Sequence, residues 1–166
     1  MILAIIAITA LVSIMAMYNK DLFYRLKFSP YLILHSRQWY RLFTHAFVHA
    51  GWMHLLINMW VLYLFGQVVV DNYAGLFGIK GYYYFIILYV GAILISSLPS
   101  YGKYKDNPYY NAVGASGAIL AIFGAVGVGI WKLKAVLPES LRKRYLWMMV
   151  AIALSQIVMD QFIPHI

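Results

Sequence analysis

Cysteine is absent, and only 11% of the 166 residues are charged. The first absence rules out a disulfide framework and a thiolate metal site, and it leaves the redox compartment open. The second, against about 25% in an ordinary soluble domain, rules out a conventional water-facing surface. Acidic residues are scarcest: five Asp and Glu stand against thirteen Lys and Arg, for a formal net charge of +8. Such an excess suits nucleic acid only when the cations gather on one face. Here Lys and Arg lie between apolar runs, where they flank a membrane, so no nucleic-acid partner is expected. Internal repeats, low-complexity tracts and dividing linkers are also missing, and the chain reads as one domain over 1–166.

What remains is apolar. Hydrophobic residues make up 64% of the chain, against roughly 45–50% in soluble domains. A run of about 18 apolar residues can cross a hydrocarbon core roughly 30 Å thick. Five runs qualify: Met1–Tyr18, Gly51–Val70, Gly81–Leu98, Val113–Trp131 and Tyr145–Ile163. Unpaired backbone groups are too costly in lipid for anything but helices here, so the expected fold class is an all-α membrane protein. The first run lacks the basic start and small-residue cleavage site of a secretory signal and reads as an anchor. The compact basic loop "WKLKAVLPESLRKRY" between the last two runs favours an N-terminus on the inner face.

Two connections are long. Asn19 to about Ala50 is rich in Tyr, Phe, Trp and Arg, which suits a partly folded loop lying at headgroup depth, with Pro30 breaking any helix across it. The second, "SSLPSYGKYKDNPYYNAV", joins the third and fourth runs. With alternating spans both lie on one membrane face, where the second and fourth runs begin.

Polar residues mark those two starts. In "HAFVHAGWMHLLINM", His54 and Asn58 are four apart and share a helical face. Such residues face a bundle interior, either as interhelical hydrogen-bond glue or as functional groups. His45, His49 and His54 are close enough in sequence to raise a metal site, but "HAFVH" lacks the Glu of the zinc-protease helix, and no metal or other cofactor is expected. In "NAVGASGAIL", Ser116 sits among glycines and alanines that suit close helix packing, and serine is an ordinary member of that set. The stripe Gly117, Ala121, Gly124 and Val128 is of the kind that receives another helix.

Taken together, "QWYRLFTHAFVHA", "HAGWMHLLIN" and "GASG", in that order, resemble the rhomboid family of intramembrane serine proteases, from about Gln38 to Gln161. The resemblance implies a six-helix bundle, of which five are present, and a Ser–His mechanism acting on single-span transmembrane proteins in the lipid bilayer. It assigns Ser116 as nucleophile and His54 and Asn58 as oxyanion donors, with Gly114 and Gly117 supporting the loop. Asp71 takes the place of a Glu usual at the end of the second span, and Leu120 stands where an aromatic is frequent. In the family the general base is a histidine in an Ala-His motif on the sixth span. His165 follows a proline and does not match that motif, so the expectation is a chain that stops before that span and stays proteolytically silent until the span is supplied. A multi-pass protein of a bacterial inner membrane is the implied setting. Two other readings stay open: an inactive rhomboid-like protein that binds membrane clients, and a small helical transporter.

Overall fold

A computed structural model of the chain describes residues 1–122 together with Gly124, Glu139, Ser140 and Lys143. The N-terminal apolar run forms α1 (Ile2–Tyr18), whose buried residues are Ile2, Thr9, Ser13 and Ala16. Two longer helices follow, α5 (Trp52–Phe77) and α6 (Lys80–Tyr104), each long and apolar enough to cross a membrane. A further helix, α7, begins at 116 and is described to 122. The fifth run and His165 lie outside the described residues.

The α5 helix is central. It carries fully buried Val61 and Leu62 along with Phe65, and these meet Phe85 of α6 and Ile119 and Ile122 of α7 in one core. At Gly66 a side chain would come within 3.0 Å of the Ile2 side chain, so the missing Cβ is what lets α1 lie close. The hairpin between α5 and α6 is tighter than hydropathy suggests. Gly78 takes φ +58 and donates its N–H to Ala74 O at 2.8 Å, while Gly81 lies against the backbone of Tyr73 and Ala74.

Both spans outrun their apolar cores. The second run, expected to end at Val70, continues to Phe77 because Asp71 and Asn72 turn their side chains back onto the helix. Gln67 donates to Asp71 (2.9 Å), and Asn72 donates to Val68 O (2.7 Å). Asp71 is therefore an exposed mid-helix residue. The third continues through Pro99 to Tyr104, which shortens the expected irregular connection. Ser96 and Ser97 bond back to Ile93 O and Leu94 O just ahead of the proline, the way hydroxyls ease such a site in a membrane helix.

The loop after α1 is folded throughout. It contains α2 (Lys20–Leu26), α3 (Pro30–His35), α4 (Arg41–Thr44) and a 3-10 turn, His45–Phe47. Asn19 caps α2 by accepting from Leu22 N at 3.0 Å, and Pro30 occupies the first turn of α3, where its missing N–H costs nothing. Arg41, only 4% exposed, binds the loop together by donating to Tyr24 O, Lys27 O and Gln38 Oε1 at 2.7–2.8 Å. Thr44 adds a bond to Leu26 O.

Candidate functional site

Four segments converge at the start of α7. The first is α5, whose opening turns carry His54 (2% exposed) and Asn58 (0%) one turn apart on the same buried face. The second is the loop ahead of α7, held to the folded loop by backbone bonds: Phe28 and Ala112 exchange N–H···O bonds of 2.9 and 3.1 Å, and Gly114 N donates to His45 O at 2.9 Å. These bonds place both long connections on one face, as the alternating-span expectation required.

Gly114 is the contact point. Its φ of +109 suits glycine alone, and a Cβ there would lie 2.8 Å from Cε1 and 3.0 Å from Nε2 of His54. Ser116 is the first residue of α7, half-buried, two residues beyond that contact. Among the described residues its hydroxyl has no side-chain hydrogen-bond partner. Gly117, next along, lies against the Ser96 side chain of α6, so this member of the small-residue stripe already receives a helix, while no described residue comes within 4 Å of a Cβ placed at Gly124. The sequence thus names residues that the fold gathers: Gly114 touches His54, Asn58 lies one turn below His54, and Ser116 and Gly117 begin the adjoining helix.

The third segment is the turn before α5, and the fourth is α1. Ser13, buried in α1, donates to Phe47 O at 2.8 Å and also lies 2.8 Å from Nδ1 of His49. Since the hydroxyl proton goes to the carbonyl, His49 must donate through Nδ1, leaving the Nε2 lone pair inward. Among the described residues that buried Nε2 has no partner, and neither has either ring nitrogen of His54. The two imidazoles stand edge to face, with centroids 5.0 Å apart. Burial, and after it the neighbouring His54, pushes His49 down to about 3, so the ring is neutral at physiological pH. His45, whose Nδ1 donates to Arg41 O at 3.0 Å, is lowered by burial as well. Sequence reasoning weighed His49 only as a metal ligand and passed over Ser13. The available signal was Thr9 and Ser13, two hydroxyls four apart in an otherwise apolar helix.

The family model of the rhomboid domain matches residues 36–166. The chain belongs to the rhomboid family. Curated relatives include the Bacillus subtilis rhomboid-family protein YdcA, 36% identical over 88 residues, which are 52% of this chain and 39% of that protein. Rhomboid-like protein 11, chloroplastic, of Arabidopsis thaliana is 36% identical over 111 residues, covering 66% of this chain and 36% of its own. The human presenilin-associated rhomboid-like protein, mitochondrial, is 36% identical over 82 residues, covering 49% and 20%. The chain spans two fifths or less of the length of these relatives. No solved structure matches. As a rhomboid the chain is an all-α membrane protein, and α5 and α6 are its two apolar spans among the described residues.

Proposed function

We propose that the chain is an intramembrane serine endopeptidase of a bacterial inner membrane, cleaving single-span transmembrane proteins. Ser116 is the nucleophile. His54, Asn58 and the Ser116 backbone N–H are the oxyanion donors, and Gly114 and Gly117 keep the loop free of side chains around them. Ser116 Oγ attacks the scissile carbonyl and passes its proton to the histidine that the family carries on its sixth span. The protonated histidine gives that proton to the departing amine as the peptide C–N bond breaks. The acyl–serine ester left behind is opened by water activated by the same histidine, which releases the acid and restores the hydroxyl.

One observation supports this reading above others: among the described residues the buried His54 ring has no hydrogen-bond partner, and it lies against the loop that delivers Ser116. A buried donor without an acceptor costs about 1–3 kcal/mol. An acceptor that arrives only during the reaction, as a carbonyl oxygen becoming negative, recovers that cost where it lowers the barrier. A second reading, an inactive rhomboid-like protein that holds membrane clients, is favoured by the lack of any described side-chain partner for the Ser116 hydroxyl. Fluorophosphonate labelling in native membranes separates the two. The peptidase reading expects label on Ser116 that disappears in Ser116→Ala. With the sixth span and its histidine supplied, an unlabelled chain overturns it in favour of the second, and label persisting in the variant removes Ser116 from the mechanism.

A further inference from the structure

A cavity of about 580 Å³ lies away from Ser116, between α2, the start of α3 and the connection that leads into α7. Its lining carries three cations, Arg25, Lys27 and Arg41, against one carboxylate, Asp21, together with Tyr24 and Asn111. Two of the cations are buried: Lys27 is 9% exposed and Arg41 is 4%. A buried charge is ordinarily paired. Among the described residues neither of these is. The three bonds that Arg41 makes go to uncharged acceptors, the carbonyls of Tyr24 and Lys27 and the amide oxygen of Gln38. The Lys27 ammonium lies 4.2 Å above the Tyr24 ring. Among the described residues the ion pairs are His35–Asp106 and Lys143–Glu139, so Asp21 neutralises none of the three. Burial first, and Arg41 second, lower Lys27 from its ordinary value, the sign expected of two close cations with no anion between them.

We propose that this cavity binds a phosphate-bearing anion, with Arg25, Lys27 and Arg41 as its cationic lining and a lipid headgroup as the source its setting favours. The setting is interfacial. Tyr24, Trp39, Tyr40 and Phe43 of the same folded loop are each at least 40% exposed, the pattern of side chains at headgroup depth. A phosphodiester offers oxygens that accept from guanidinium and ammonium at once, and it supplies the charge the protein omits. Pro108 and Asn111 line the same cavity four or fewer residues before Ala112, so a bound headgroup touches both the folded loop and the strap ahead of Ser116. The site stands independently of the peptidase reading.

The test uses the whole chain, delipidated in a neutral detergent, with the thermal midpoint read against added dihexanoyl phosphatidylglycerol, dihexanoylglycerol or inorganic phosphate. The phospholipid should raise the midpoint saturably, and the phosphate-free glycerolipid should not. Lys27→Gln and Arg25→Gln should each weaken the apparent affinity about fivefold, the contribution of one basic residue beside an anionic headgroup. Protection by inorganic phosphate at matched concentration, lost in the same variants, makes free phosphate the source. Protection by the phospholipid alone makes it the lipid. Equal protection by the glycerolipid, or unchanged affinity in the variants, overturns the proposal. Arg25 is exposed and outside the loop's hydrogen bonding, so its variant decides the matter if Lys27→Gln fails to fold.

Discussion

His54 and Asn58 occupy one buried face of α5, so truncating either removes a polar group from a place water does not reach. If they are oxyanion donors, His54→Ala and Asn58→Ala should each lower turnover about 10²–10³-fold while the helix content stays. If they only join helices, the loss should fall on stability, about 0.6–2 kcal/mol, with turnover per folded molecule unchanged. Measuring both quantities on the same variants decides between them. Gly114 tests the same place from the other side. Gly114→Ala must hold a side chain at φ +109 and drive it into the His54 ring. It should cost about 1–3 kcal/mol and lower turnover further than that loss of folded protein explains. Two separate short motifs, HAGWMHLLIN and GASG, named His54 and Asn58 and then Ser116 as candidates, because each motif is local even though the two lie about 60 residues apart. Ser13 and His49 were not legible as partners: they are 36 residues apart, and no short motif joins them.

Hydropathy read the helices well where lipid sets the pattern and poorly beyond it. It located the cores of α5 and α6 but ended both early, since an apolar run reports membrane thickness, not helix length. At 1.5 Å per residue the 26 residues of α5 extend roughly 39 Å, past a hydrocarbon core of about 30 Å. The folded loop left no periodic trace at all, because Arg41 holds it through backbone carbonyls 14 and 17 residues away. The hairpin joining the two spans is testable by a matched pair. Gly81→Ala sets a methyl into the backbone of Tyr73 and Ala74, which cannot swing aside, and should destabilise by about 1–3 kcal/mol. Gly75→Ala, with nothing within 4 Å, should be neutral or gain about 0.5–1 kcal/mol from its better helix propensity. Detergent unfolding monitored by circular dichroism reads both.

For the molecule as a whole, the buried imidazoles set a pH dependence. His49 is neutral in both folded and unfolded chains above about pH 6.5 and adds nothing there. As the pH falls below that value, the unfolded chain binds a proton that the folded one refuses until about 3. Stability is then lost by up to about 1.4 kcal/mol per pH unit. The thermal midpoint should be flat from pH 8 to 7 and fall from 6.5 towards 4, with a shallower fall in His49→Gln. The strap between Phe28 and Ala112 has a different consequence. It is written in main-chain atoms, two N–H groups and two carbonyls, so replacing side chains cannot erase it. An alanine scan of the two loops would score them as unconnected. A proline scan would not: Ala112→Pro deletes one of the two donors and weakens the tie between the run-up to Ser116 and the loop that carries His45, leaving only the Phe28 donor and the Gly114–His45 bond. The joint that fixes where the serine sits is thus hidden from the commonest mutational survey, and residues 28 and 112 can drift in identity while keeping their grip.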